Sequence, residues 1–508
     1  MDNSKSSYLS SLNRKKLVRN GVVIVLTLVI LAVINLEKFF PNKRDSIKEP
    51  NLIIICIDSL RADHLGCYGY SRNTSPNIDS LAKEGILFEN AYSNSSFTRE
   101  SVSVILSGLL PSSSGSMGWF AKPESGAKGI GEIFNNAGYR TAFLSASNTL
   151  RFKPFTKGFE VISHHSEVKL SGNGPNLSAR AADFITKNKD GKFMMYLHYL
   201  DPHGPYEPPD DFIKRFTQEI YPQPVGIYTY VRPNCQKLID EGFGPGDPRF
   251  EDIVVRYDAE IAHTDYSIGI LLDKLKELDI LDNTFIVITA DHGEEFLEHN
   301  FVEHAWTLYN ESTHIPLIFW GNPILQPRRI TQRVSSVYIT PTILSMLRIP
   351  NDRKDFDAHP LFSIQGDSLP FTPPAKPYIG ELLIQHRNIL RAVVKDNWKY
   401  IAAIKWANPE NRPPLVDHDI TAFEKNTTLH VDTWNPVIRE ELYNLSDDPG
   451  EHSNLIENQP GKRDELRTIL LQYESRCKAK HAGKSKKTTD DGPLSEEDKK
   501  KLKTLGYL

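Results

Sequence analysis

Three apolar runs in this chain of 508 residues each end in side chains able to bind a metal ion or move a proton. Residues 52–57 run into Asp58, residues 193–200 run into Asp201 and His203, and residues 285–290 run into Asp291 and His292. Any one of them could serve only to cap a turn. Three separate run ends furnished in this way carry more weight than each alone. Carboxylate oxygens beside imidazole nitrogens make a mixed ligand set, which suits Zn²⁺ or Mn²⁺ better than the all-oxygen cage that Ca²⁺ prefers.

The elements that must position these side chains can be read from the same segments. Short, continuous, Ile-rich runs bounded by polar residues fit strands buried on both faces of a parallel sheet. A fourth run occupies residues 315–320. Between the runs lie helical patterns. Residues 253–278 carry Val254, Tyr257, Ile261, Ile268, Leu271, Leu272, Leu275 and Leu278 at near-helical spacing, and residues 130–137 form a second helix before Gly138. Alternating strands and helices predict an α/β fold with a large, doubly wound, mostly parallel sheet. In such sheets ligands sit beyond the carboxyl ends of the strands, where Asp58, His203, Asp291 and His292 fall. The texture changes near residue 375, after a Pro-rich joint at 370–377. Strand-like segments at 389–394 and 398–404 predict a smaller C-terminal α+β subdomain. A polar, Lys-rich linker covers 478–491, and Ser495, with Asp498 three residues on, opens a short terminal helix.

Composition excludes some partners. The net charge is −4, with no global basic field of the kind that attracts nucleic acid. The four cysteines, at 56, 67, 235 and 477, form no C-x-x-C pair. Cys56 reads as a buried thiol within its strand, and the spacing leaves a Cys67–Cys235 bridge open. Residues 21–36 are apolar and uncharged, preceded by Arg14, Lys15, Lys16 and Arg19. From residue 18 to 36 the run only just reaches the length of about 20 residues that crosses a bilayer, and the anchor is set at 18–38. We read it as an uncleaved signal anchor, because no small-x-small cleavage site follows. A cleaved signal peptide is the competing reading. Either places the basic end in the cytoplasm and the rest of the chain on the extracytoplasmic side.

Six ordered segments carry a resemblance. They are DSLRADHLGCYGY (58–70) with TSPNID (74–79), LAKEGILFENAY (81–92), HYLDPHGPY (198–206), TADHGEE (289–295), ELYNLSDDPGEHSNL (441–455) and LGYL (505–508). In this order they resemble the sulfatase family of the alkaline-phosphatase superfamily, from about residue 51 to the end. The resemblance implies metal-dependent hydrolysis of sulfate or phosphate esters, a divalent metal with Ca²⁺ also among the candidates, and an anionic glycan, lipid or small-molecule substrate. It divides the chain into a cytoplasmic N-terminus (1–17), an anchor (18–38), a linker (39–50), a sulfatase-like catalytic domain (51–375), a C-terminal subdomain (376–477) and a polar linker with terminal helix (478–508). It makes Asp58, Asp291 and His292 metal ligands and sets His203 on the non-bridging ester oxygens. His304, in FVEHA (301–305), falls near the leaving group, where it would donate a proton. For His198 and His299 a structural role is the favoured reading.

Departures from the family pattern are equally informative. The family often has a second acidic residue after the first ligand; here that residue is Ser59. The family's Cys or Ser that is oxidised to formylglycine aligns with Thr98 in SFTRESV (96–102). Glu100 replaces the usual Pro, and the Arg expected after Ser101 is missing. The resemblance therefore makes Thr98 the nucleophile and a further metal ligand, at the head of a helix over 99–107 whose dipole would assist it. Capping that helix is a compatible second role. Thr98 with Asp58, Asp291 and His292 also resembles the metal-and-nucleophile set of membrane-anchored phosphoethanolamine and phosphoglycerol transferases. Transfer is thus an alternative to hydrolysis, and a non-catalytic sulfatase-like binding protein is a second one.

Overall fold

A computed structural model describes residues 49–117, 128–150, 153–164, 174–218, 231–321, 325–365, 368–384, 388–405 and 437–481. The expected anchor at 18–38 and the Ser495 helix lie outside the described residues. No helix among the described residues is long and apolar enough to cross a membrane.

The apolar runs become the centre of a large sheet. β1 (Asn51–Ile57) is buried along its whole length, as a strand with helices on both faces must be. β2 (Ile86–Phe88) follows, then β3 (Ala91–Tyr92), which belongs to a small ladder. β4 (Arg140–Ser145), β5 (Val161–His164), β6 (Phe193–Tyr199) and β7 (Thr284–Ala290) return to the large sheet. β8 (Glu295–Phe296) and β9 (Val302–Glu303) pair with each other beside it. β10 (Leu317–Trp320) and β11 (Arg328–Ile330) complete it, and β12 (Val334–Ser335) pairs with β3. The order is β11-β2-β10-β7-β1-β6-β4-β5. Every neighbouring pair is parallel except those of β10, which runs antiparallel to β7 and β2. This is the expected α/β architecture. The three longest runs, β6, β1 and β7, lie side by side, so their carboxyl ends meet at one point of the sheet edge.

The long helix on one face spans Pro248–Glu277, five residues longer at its start than the apolar spacing predicts. The cause is local. Asp247 accepts a hydrogen bond from Arg249 N at 2.8 Å, and Pro248 takes the first helical position, where a missing N–H costs nothing. The C-terminal region is a four-stranded antiparallel sheet of β13 (Tyr378–Ile384), β14 (Asn388–Lys395), β15 (Trp398–Lys405) and β16 (Val437–Asn444), covered by a helix over Pro460–His481. Val393, Tyr400 and Leu442 of this sheet share a core with Leu52, Ile54 and Phe285 of the large one. All four cysteines are free thiols, so the Cys67–Cys235 bridge left open by spacing does not form.

Candidate active site

Register places the ligands. Ile57 at the end of β1 is opposite Ala290 of β7, so the residues that follow, Asp58 and Asp291, emerge side by side. On the other flank Cys56 pairs with His198 of β6. Asp58 Oδ2 lies 3.1 Å from His198 Nε2. Donor atoms of Asp58, His198 and Asp291 all lie within 4.8 Å of one another. All three side chains are buried. Ser59 turns the chain with φ 58°, a left-handed conformation rare for a residue with a side chain, and its N–H donates to Asp291 Oδ1 at 3.2 Å.

His292 is fixed by its other nitrogen. Nδ1 lies 2.9 Å from the carbonyl oxygen of Gly293, which can only accept, so Nδ1 carries the proton and Nε2 presents a lone pair. That lone pair lies 3.1 Å from Thr98 Oγ1, 3.5 Å from Asp291 Oδ2 and 3.7 Å from Asp58 Oδ1. Thr98 is the first residue of the helix Thr98–Ser107, one position earlier than the sequence suggests, after Phe97 at the cap. No side chain caps this helix. The Thr98 hydroxyl is directed at His292, so capping is not its role, and it sits where unpaired backbone N–H groups and the helix dipole favour negative charge.

Two more imidazoles close the site. His304 stacks on His292 with ring centroids 4.2 Å apart, and His203 meets His304 edge-on at 4.9 Å. Glu294 Oε1 holds His304 Nδ1 at 3.0 Å. Thus all six residues singled out in the sequence, Asp58, Thr98, His203, Asp291, His292 and His304, converge.

The electrostatics are those of a cation site. Burial raises the Asp58 carboxyl, but His203 and His198 more than offset this and hold it well below the usual carboxylate range. Burial and the Asp58 charge push Asp291 well above that range. Of two carboxylates packed together, one ionises and the other keeps its proton. Asp291 Oδ2 is buried with no hydrogen-bond partner. A divalent cation would satisfy that oxygen and remove the repulsion, so the residues fit a metal. Asp58, Asp291 and His292 would hold it, with Thr98 and His198 alongside. Burial lowers His203, which favours the neutral imidazole. Burial pushes Glu294 up to about 7.

Three contributors escaped the sequence reading. His198, taken as structural, lies in the cluster. Glu294 orients His304. Tyr257 donates to Ser59 O at 2.7 Å and accepts from Arg61 N at 3.0 Å, which pins the turn after Asp58. Glu294 gave a faint signal, an acid two residues beyond His292. Tyr257 gave none, since it sits in the apolar stripe of its helix.

The α/β sheet brings carboxylates and imidazoles together at the ends of its central strands. Comparison with known proteins gives the class. A sequence model of the sulfatase family matches residues 50–349, more than half of the chain, and the chain belongs to that family. Its relatives include the uncharacterized sulfatase YidJ of Escherichia coli (strain K12), 24% identical over 344 residues that span 59% of this chain and 68% of the relative. Arylsulfatase K of Xenopus laevis is 24% identical over 446 residues, 77% of this chain and 76% of the relative. Among solved structures, BT4656 in complex with its substrate D-glucosamine-2-N,6-O-disulfate superposes with a TM-score of 0.67 at 18% identity, over 85% of this chain and 98% of that one. The phosphonate monoester hydrolase of Agrobacterium radiobacter gives 0.60 at 16% identity, over 84% and 96%. At these identities the structural likeness speaks for the fold.

Proposed function

We propose that this sulfatase-family chain is a metal-dependent hydrolase of sulfate or phosphate esters in which Thr98 is the nucleophile. One observation carries the proposal: the Thr98 hydroxyl, at a helix N-terminus, lies 3.1 Å from the fixed lone pair of His292 beside two buried carboxylates. Zn²⁺ or Mn²⁺ suits the mixed donor set better than Ca²⁺. Since Thr98 offers no route to formylglycine, phosphate is favoured over sulfate as the ester attacked. We further propose that residues 18–38 anchor the enzyme with its catalytic part on the extracytoplasmic side.

A divalent cation bound by Asp58, Asp291 and His292 would supply the Lewis acidity that lowers the Thr98 hydroxyl pKa. The protein's own groups do the rest. Thr98 Oγ1 releases its proton to solvent water and bonds to the central phosphorus or sulfur while the bond to the ester oxygen breaks. His203, whose Nδ1 donates to Gly204 O at 2.7 Å, must take a second proton before its Nε2 can donate to a non-bridging oxygen. His304, held at Nδ1 by Glu294, gives a proton from its other nitrogen to the departing oxygen. Water then hydrolyses the Thr98 ester.

The test is turnover of aryl phosphate, aryl phosphodiester and aryl sulfate with Mn²⁺, Zn²⁺ or Ca²⁺, comparing wild type with Thr98→Ala. Turnover should require metal and fall by about a thousandfold or more in the variant. Intact mass after a substrate pulse should show a phosphoryl or sulfuryl adduct on the wild type alone. Undiminished turnover in Thr98→Ala would remove the nucleophile assignment. No turnover with any pairing would favour a binding protein.

A further inference from the structure

Beyond the far end of the nucleophile helix the fold leaves a cavity of ≈ 680 Å³, within the usual range for small-molecule sites. Leu110 and Ser113 line it, just past the carboxyl end of Thr98–Ser107. Thr98 stands at the opposite end of that helix, about 15 Å along its axis. One wall is a face of the helix Pro460–His481, made by Ile469, Gln472, Tyr473, Arg476, Cys477 and Lys480 at spacings of three and four residues. The Pro-rich joint before β13 and the turn between β14 and β15 form the others.

The lining is cationic. Arg333, Lys376, Lys395, Arg476 and Lys480 face two carboxylates, Asp357 and Asp396, and Lys395 Nζ is also paired with Glu465 Oε1 at 2.7 Å. The Asp357 carboxylate is already engaged, accepting from Leu110 N at 2.8 Å and Ser113 Oγ at 3.1 Å. Arg333 lies over the Tyr92 ring at 4.4 Å and has no carboxylate partner among the described residues. The side chains of Arg476, Gln332 and Gln472 have no hydrogen-bond partner among the described residues. Guanidiniums fit anionic oxygens, and carboxamides fit hydroxyls, which both donate and accept. The rings of Tyr338 and Tyr378 add flat apolar surface. The walls are tied in place: Lys480 Nζ donates to Ser113 Oγ at 2.6 Å, Lys376 Nζ to Asp357 O at 2.8 Å and Tyr473 OH to Glu381 Oε2 at 2.8 Å. These ties hold the walls, while the exposed side chains of Arg476, Gln332 and Gln472 order on binding.

We infer that this cavity binds an anionic saccharide, a sugar that carries sulfate, phosphate or carboxylate groups, at a site separate from the Thr98 cluster. The inference stands whether or not Thr98 is the nucleophile.

The experiment is titration calorimetry of the full chain with a sulfated heparin-derived tetrasaccharide, its desulfated counterpart and inorganic sulfate. The sulfated probe should bind, and Arg476→Ala and Gln472→Ala should each weaken it by about tenfold. Both positions are exposed and outside the catalytic cluster, so aryl-ester turnover should not change. His203→Ala should leave the affinity intact. Four results would overturn the inference: no binding to wild type, unchanged affinity in the Arg333→Ala/Arg476→Ala double variant, loss of binding in His203→Ala alone, or inorganic sulfate binding as tightly as the tetrasaccharide.

Discussion

Asp291→Asn should weaken the metal-bound protein while leaving the metal-free protein as stable as wild type or more so. Donor atoms of Asp58 and Asp291 lie within 4.8 Å of each other, with both side chains buried. At an effective dielectric of about 20, two unit negative charges at that distance repel by about 3.5 kcal/mol. Without a cation, wild type either bears this repulsion or relieves it by keeping a proton on Asp291. Asparagine removes the charge and keeps the acceptor, since Oδ1 can still take the N–H groups of Ser59 and His292. Its new Nδ2 would stand near the His292 Nε2 lone pair, where Asp291 Oδ2 now lies at 3.5 Å. The metal-free variant should therefore lie between wild-type stability and about 3 kcal/mol above it. With Mn²⁺ or Zn²⁺ at a hundredfold excess over its dissociation constant, wild type should gain about 2.7 kcal/mol and the variant little. Chemical denaturation of both proteins, each with metal and with chelator, gives the four numbers needed. If the metal-free variant were less stable than wild type by about 2 kcal/mol or more, Asp291 would be a structural hydrogen-bonding group and the repulsion argument would fail. An equal metal shift in both proteins would remove Asp291 from the ligand set.

Three further outcomes follow from particular contacts. His304→Ala should cost about 10² to 10⁴ in kcat for alkyl esters and far less for nitrophenyl esters, whose leaving oxygen needs no proton; a plot of rate against leaving-group pKa should steepen. Tyr257→Phe leaves Ser59 O and Arg61 N without their buried partner, so stability should fall by about 1–3 kcal/mol. Metal affinity, read by titration, should weaken with it, because the turn after Asp58 loosens. Burial opposes charge on His299, yet its hydrogen bond to Glu311 raises it from 6.5 to about 9. The pair's contribution is full below about pH 6.5 and is lost as pH rises through 9. After screening at this partly wetted site it should amount to about 1–2 kcal/mol. Denaturation midpoints from pH 6 to 10 should show the loss in wild type and not in His299→Gln.

The sequence was most legible where burial is two-sided. β1, β6 and β7 stand out as apolar runs because helices cover both faces, and the polar residues that end them had to lie together once the strands were neighbours. Shorter elements left less trace. β2 and β11 have three residues each, too few for a period, and although the run over 315–320 marked β10, its antiparallel course depends on pairing partners distant in sequence. Asp247 and Pro248 did announce the true start of the long helix, but as capping chemistry rather than apolar spacing. His198 gave no functional signal because it lies inside an apolar strand, where imidazoles usually satisfy a local bond. Its signal was lateral: it pairs with Cys56, two residues before Asp58, on the adjacent strand.

Ser59 and His198 belong to one argument about charge. The family pattern often supplies a carboxylate at the position of Ser59, which would make three acids around one cation. Here the acids are Asp58 and Asp291, with His198 and His292 beside them. Two carboxylates balance one divalent ion, so on our proposal the loaded site is neutral rather than negative. A neutral site repels an anionic ester less, and it lacks the excess negative charge that would compensate a hard, high-coordination ion such as Ca²⁺. The same substitution frees the Ser59 hydroxyl to lie 3.3 Å from Asp58 Oδ1 and 3.4 Å from His304 Nδ1, between the proposed metal ligand and the proposed proton donor. Ser59→Asp should therefore shift metal preference toward Ca²⁺ in a competition titration and raise KM for the ester. If preference and KM both stay put, charge balance is not what the serine sets.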